Sequence, residues 1–373
     1  MEVSSGHKYP GGIILGLAFT NIDGLASRPN LDDRVVMESA RGMGTVAFLI
    51  PKFFCICVDQ NAQSSENGQG WNVPMSKLSE EITIQKASIR VDAFSDEEIR
   101  NVVGNDPTFL AYRLGEVQIS KEPTKSEPDV IWTMKGERSL RYENGKLLMG
   151  GAFSEGEVQK IFIALLVKAL EESDLFTFHA SACYYGGRCV VFMSGEDNHG
   201  KTMSLLEVAK RGGEVVAGES FICNREGRIV SGSKDVFRRG TTPKGAERID
   251  KPPPMQGVNK FFEAVPTFKH HQGPTNADLI VLPSIDGNFD TFVGQMESFE
   301  KEYQTFHCLE DFYIPRSLIS SGVPMPILDD YEHRRRRAAF VTDFARNRPY
   351  YFVRGRSPRV IVDELDKILG IAR

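Results

Sequence analysis

The chain has 373 residues, a length that at about 150 residues per domain points to roughly two domains and allows a sizeable buried core. Hydrophobic residues make up 41% and charged residues 25%, a balance that excludes both a disordered tail protein and a polytopic membrane protein. Forty-five Lys and Arg against fifty Asp and Glu leave a formal net charge of −5, so no global field favours nucleic acid or anionic lipid, and neither is expected as a partner.

The longest apolar stretch, residues 161–170, is interrupted by Lys168 and falls short of the ~20 residues a spanning helix requires. Residues 13–19 are apolar, but the run is short and Glu2 offsets Lys8. No signal peptide is expected, and the cytoplasm is the default location. The six cysteines form no C-x-x-C pair, which disfavours a disulfide scaffold or structural zinc. Cys55 and Cys57 fall on one face of a strand-like run and read as buried small hydrophobes.

In chain order, residues 45–50, 53–58 and 81–91 read as strands, with a Gln/Ser/Asn/Gly-rich loop at 60–72. Ser95-x-x-Glu98 has the spacing of a capping box that opens a short helix. Further strands are expected at 112–120, 130–134, 139–143 and 146–150, the last two joined by Asn144-Gly145, a strong hairpin signal. Residues 1–153 thus read as a mainly antiparallel β accessory region without a chemical constellation. From Ser154, a helix cap, the pattern changes to an apolar-faced helix reaching about residue 170. Strands at 177–185 and 188–194 follow, joined by Gly186-Gly187.

Gly195-Glu196-Asp197-Asn198-His199-Gly200-Lys201-Thr202 matches the phosphate-binding pattern G-x-x-x-x-G-K-[ST]. An apolar strand precedes it and a helix-forming stretch, residues 203–211, follows and stops at Gly212-Gly213. Glycines let the chain wrap an oxyanion, while backbone N–H groups and the helix N-terminus supply positive potential. Gly195, Asn198, His199, Gly200, Lys201, Thr202 and Met203 are therefore the nucleotide-binding candidates. Lys201 would meet the β- and γ-phosphates and the Thr202 hydroxyl a Mg²⁺ ion. Glu196 and Asp197 would have to point outward. The strand 214–217 ends at Gly218-Glu219, where a carboxylate can hold Mg²⁺ or act as the base toward an attacking group.

The stretch from Phe178-His179-Ala180-Ser181-Ala182 through the P-loop to Val215-Val216-Ala217-Gly218-Glu219 resembles the HPr kinase/phosphorylase family, whose nucleotide core is shared in outline with phosphoenolpyruvate carboxykinases. The resemblance lies in the combination of a histidine sixteen residues before Gly195 and an acid seventeen residues after Thr202. It implies an α/β (α+β) fold with a P-loop kinase domain at 154–373. It also implies ATP- and Mg²⁺-dependent phosphoryl transfer to a hydroxyl, and a homo-oligomer. In that family a pair of aspartates follows the second strand, where this chain has Gly218-Glu219, and the histidine lies near the phosphates. His179 would then bond phosphate or orient the carboxylate.

Beyond a hairpin turn at 224–227, Lys234, Arg238 and Arg239 precede a Pro/Gly-rich stretch at 241–257 that reads as an acceptor-recognition or lid segment. Arg238 or Arg239 could supply a cation to the γ-phosphate. Glu247-Arg248 faintly echoes a metal-binding region of the family. Residues 277–283 read as a buried strand, His270-His271 as loop, and Arg334 to Arg337 as the solvated or salt-bridged face of a helix. A strand at 350–353 and a helix at 358–369 close the chain. The expected acceptor is a small-molecule alcohol or a serine of a protein or peptide, with the small molecule favoured. The competing expectation is a nucleotide-binding regulatory or scaffold protein with a degenerate kinase site.

Overall fold

A computed structural model of the chain describes residues 76–103, 110–194, 199–234, 236–239, 262–264, 268–313 and 323–372. Expectations on 45–50, 53–58, Cys55, Cys57 and the loops at 60–72 and 241–257 lie outside these residues, as does Glu247-Arg248. The fold is mixed α/β with several sheets.

β1 (Ser76–Ile84) and β2 (Ala87–Ser95) form a hairpin, where one strand across 81–91 was expected. The strand is broken at Gln85, whose φ of 51° turns the chain. Ser95 opens no helix either. It ends β2, and its hydroxyl accepts from the Glu97 backbone N–H at 3.1 Å. The expected strand at 112–120 divides into a single turn, α1 (Ala111–Leu114), and β3 (Val117–Ser120). β4 (Val130–Thr133), β5 (Ser139–Glu143) and β6 (Lys146–Gly150) follow, with Asn144 and Gly145 at positive φ in the turn.

These strands make one sheet in the order β3-β1-β2-β4-β6-β5. Its two edges pair antiparallel, but β2, β4 and β6 run parallel in the middle, because the β5–β6 hairpin returns the chain beside β4. α2 (Glu155–Glu172) begins where expected: the Glu157 carboxylate accepts from the Ser154 backbone N–H at 2.8 Å. Its Ile161, Phe162, Leu165 and Leu166 bury against Ile82, Ile89, Val91 and Leu147 of this sheet. The expected division at 153/154 falls between β6 and α2.

β7 (Leu175–Phe178) and β8 (Ala180–Tyr185) flank His179, and β9 (Arg188–Met193) precedes α3 (Lys201–Lys210) in the chain. Then come β10 (Glu214–Ala217), β11 (Phe221–Asn224), β12 (Arg228–Gly232), β13 (Phe237–Arg239), β14 (Phe262–Ala264), β15 (Thr275–Asn276), β16 (Leu279–Ile285) and β17 (Phe292–Gln295). α4 (Ser298–Glu310), α5 (Tyr331–Arg346), β18 (Tyr350–Gly355) and α6 (Pro358–Leu369) complete the fold. No helix among the described residues is long and apolar enough to cross a membrane.

The central sheet has the order β10-β8-β9-β16-β18-β17, with β9, β16 and β18 parallel. A four-stranded sheet, β15-β12-β11-β7, stacks on one of its faces, and β13 pairs with β14 in a separate ribbon. Each face of the central sheet is apolar, as a sheet covered on both sides must be. Val190, Phe192 and Val281 pack under α3 and α6 through Leu205, Leu206 and Ile361. Val191, Met193 and Ile280 meet Phe176, Phe178 and Phe221 of the second sheet and Phe340 and Phe344 of α5.

Candidate active site

His179 stands where the chain changes sheets. Phe178 pairs with Phe221 of β11, whereas Ala180 pairs with Met193 of β9, so the single unpaired residue between β7 and β8 lies level with Ser194, where β9 ends. The period-two pattern of 177–185 reads as one strand, and the break at His179 corrects that expectation: pairing with two different sheets sets it. β10 runs parallel to β9 through their shared neighbour β8, so Gly218 and Glu219 emerge at the same end of the sheet as Ser194. The buried Ser181 hydroxyl fixes that edge by donating to the Gly218 carbonyl at 2.7 Å.

Two sequence-derived candidates are thereby brought together: His179 Nε2 lies 4.0 Å from Glu219 Oε2. The other ring nitrogen, Nδ1, makes a short hydrogen bond with the Asp311 carboxylate. An ionised carboxylate only accepts, so this contact places the ring hydrogen on Nδ1 and turns Nε2 toward Glu219. Asp311 is the C-cap of α4, where the helix dipole disfavours a negative charge and a cationic or N–H partner compensates. One turn earlier, the Cys308 thiol donates to the His179 carbonyl at 3.3 Å. α4 therefore fixes both the backbone and the ring of His179.

Glu219 has a second neighbour from the N-terminal part of the chain. Arg113 Nη1 donates to Glu219 Oε2 at 3.1 Å, and the Ser220 hydroxyl donates to the Arg113 carbonyl. Gly115 makes this approach possible: at φ 91°, a Cβ there would sit 2.9 Å from the Gly232 carbonyl oxygen. Neither Arg113 nor Asp311 belongs to a sequence motif. The one local signal is the acid at the end of α4, which the dipole marks as needing a partner.

Gly200 caps α3 with φ 104°, and a Cβ built there would lie 2.6 Å from the Ile285 side chain. Lys201 is the first residue of α3, and its Nζ reaches back to the Ser194 carbonyl at 3.3 Å. The His199 carbonyl accepts from the Ile285 N–H at 3.2 Å, tying the loop's end to β16. Thr202 is half-buried on the first turn of α3, and Met203 is exposed. Gly195 and Asn198 lie outside the described residues. Arg238 and Arg239 lie on β13, whose backbone pairs with β14.

Among the described residues no three His, Cys, Asp or Glu side chains are gathered as a metal site. Mg²⁺ held by a nucleotide needs only one or two protein oxygens beside the phosphates, and Thr202 stands on the first turn of α3. Glu219 is less suited, because the oxygen it presents is already shared between the Arg113 guanidinium and the side of His179. No protein-family model matches the chain, and no curated protein matches it significantly.

Proposed function

We propose that the chain is a nucleotide-dependent phosphotransferase built on an HPr kinase-like P-loop core, which passes the γ-phosphoryl group of ATP to an alcohol. The observation that carries this reading is the meeting of His179, Glu219 and Asp311 at the sheet edge that bears Lys201 and the start of α3. Phosphoryl transfer needs a charge-stabilising cradle and, beside it, a group that takes the acceptor's proton. Lys201 and the α3 N-terminus supply the first, and the Thr202 hydroxyl would hold a nucleotide-borne Mg²⁺ that adds positive charge there. Glu219 supplies the second: as the acceptor oxygen bonds to the γ-phosphorus and the bond to ADP breaks, the hydroxyl proton passes to its carboxylate. His179, held at Nδ1 by Asp311, packs its ring beside the Glu219 carboxylate and helps to position it. A small-molecule alcohol is the favoured acceptor, ahead of a serine of a protein or peptide.

Arg113 favours a second reading, a nucleotide-binding regulatory protein without turnover, because its guanidinium already neutralises the proposed base. The two readings part in one experiment. Labelled ATP with Mg²⁺ is incubated with a panel of alcohols and serine peptides, using the wild type and Lys201→Ala. Transfer that Lys201→Ala abolishes supports the phosphotransferase. Nucleotide binding without transfer to any acceptor supports the regulatory protein.

A further inference from the structure

A cavity of about 390 Å³ is lined by Ser194, where β9 ends, and by His199, just before α3. That volume lies within the range of about 300–1,000 Å³ usual for small-molecule sites. The sheet order places it: Glu219 follows β10 at one end of the central sheet, whereas the cavity lies over β16, β18 and β17 at the other, with β9 between them. A nucleotide whose γ-phosphoryl group faces Glu219 therefore directs its nucleoside toward the cavity.

The lining suits a flat aromatic ring. Phe299 and Tyr303, four residues apart on α4, stack with ring centroids 6.1 Å apart and an interplanar angle of 23°. They remain 76% and 55% exposed, a costly display of apolar surface that marks a binding face. Across the opening, the Phe292 ring folds back over Gly294, where a Cβ would meet it at 2.8 Å. The glycine thus leaves room for the ring to lie along β17. Gln295, Glu300 and Gln304 add amide and carboxylate groups to the same lining, the donors and acceptors that read the edge of a base. One Glu300 oxygen caps α4 through the Glu297 N–H at 2.9 Å, which holds the carboxylate in place at the helix start.

We infer that this cavity seats the aromatic base of the nucleoside triphosphate, stacked on Phe299 and Tyr303, with its phosphates at Lys201. The inference rests on the reading of the P-loop as the phosphate site, and the test separates the two. Dissociation constants for ATP and for inorganic tripolyphosphate, which has no base, are measured by calorimetry on the wild type, Phe299→Ala/Tyr303→Ala and Lys201→Ala. Both rings are largely exposed, so their removal leaves the core intact, and thermal unfolding verifies it. Tyr303→Phe, which keeps a stacking ring, serves as the conservative control. The expected result is a loss of about tenfold or more in ATP affinity for the double variant, since base stacking on an aromatic is worth roughly that much per ring. Tripolyphosphate affinity stays within twofold, Tyr303→Phe resembles the wild type, and Lys201→Ala weakens both ligands. Undiminished ATP affinity in the double variant overturns the base site while leaving the P-loop reading intact. Loss of both ligands in Lys201→Ala alone, with the aromatic variants silent, has the same meaning. A wild type that binds neither ligand overturns both.

Discussion

The His179 ring and the Asp311 carboxylate, 132 positions apart in the chain, share a short hydrogen bond at Nδ1. It links the residue where the chain changes sheets to the end of a helix whose dipole repels the acid. The contact fixes the imidazole's orientation toward Glu219. Asp311→Asn keeps the size and removes the charge. A hydrogen bond to a charged group is worth about 1.5–3 kcal/mol, so turnover is expected to fall about 10- to 100-fold with nucleotide affinity little changed. Steady-state kinetics beside calorimetric ATP binding checks this, and equal losses in both would assign Asp311 a merely structural role.

Glu219→Gln removes the proposed base while keeping its shape. The expected fall in turnover is roughly 10²–10⁴, with ATP and Mg²⁺ dependence near the wild type. Were Glu219 a metal ligand instead, the Mg²⁺ concentration for half-maximal activity would rise along with the loss. A Mg²⁺ titration of initial rates distinguishes the two.

Gly200→Ala tests the start of α3. The backbone there is at φ 104°, and the added Cβ would press on the Ile285 side chain at 2.6 Å. The strained backbone costs on the order of 1–3 kcal/mol. The urea midpoint should drop accordingly, and ATP affinity should drop further, because relief of the strain shifts the first turn that carries Lys201.

Much of this arrangement is legible in the sequence where the signal is local. Asn144-Gly145, the Ser154 cap and the β9–loop–α3 unit fall where spacing and turn chemistry put them. Residues 81–91 read as one strand because the turn at Gln85-Lys86 carries neither glycine nor asparagine. The break at His179 is invisible to a period-two pattern, since pairing with two different sheets sets it. Arg113 and Asp311 reach the site from far along the chain, through contacts that no spacing encodes.

The arginine run in α5 shows the same limit. Arg334, Arg335 and Arg336 are exposed, in keeping with a solvated face, but Arg337 is fully buried. Its guanidinium donates to Glu171 at 3.0 Å and Asp329 at 2.6 Å and lies 4.4 Å from the Tyr313 ring centre. This joins α2 to α5. Arg337→Ala takes the guanidinium from the buried Glu171 carboxylate and leaves Asp329 to Arg334 at 3.4 Å, and stability should fall by about 3–5 kcal/mol, read as a lower midpoint in urea. Arg335→Ala, on the exposed face, should change it by under about 0.5 kcal/mol.

His333 gives the fold a pH dependence. Its hydrogen bond to Glu172 raises its pKa, burial opposes this, the Asp330 carboxylate adds to it, and the neighbouring Lys168 ammonium works against it. A histidine whose folded-state pKa lies above the unfolded value of about 6.5 stabilises fully below that value. The contribution fades as the pH rises through the folded pKa. Melting temperature should therefore decline from about pH 6.5 upward, and His333→Gln should flatten that decline.

The most direct measurement of the central claim is the transfer of label from γ-labelled ATP to an alcohol panel, comparing wild type with Glu219→Gln under Mg²⁺. The account predicts a labelled acceptor with the wild type and a rate lower by roughly 10²–10⁴ with the variant. Transfer at the same rate in both, or none to any alcohol by the wild type, would contradict it.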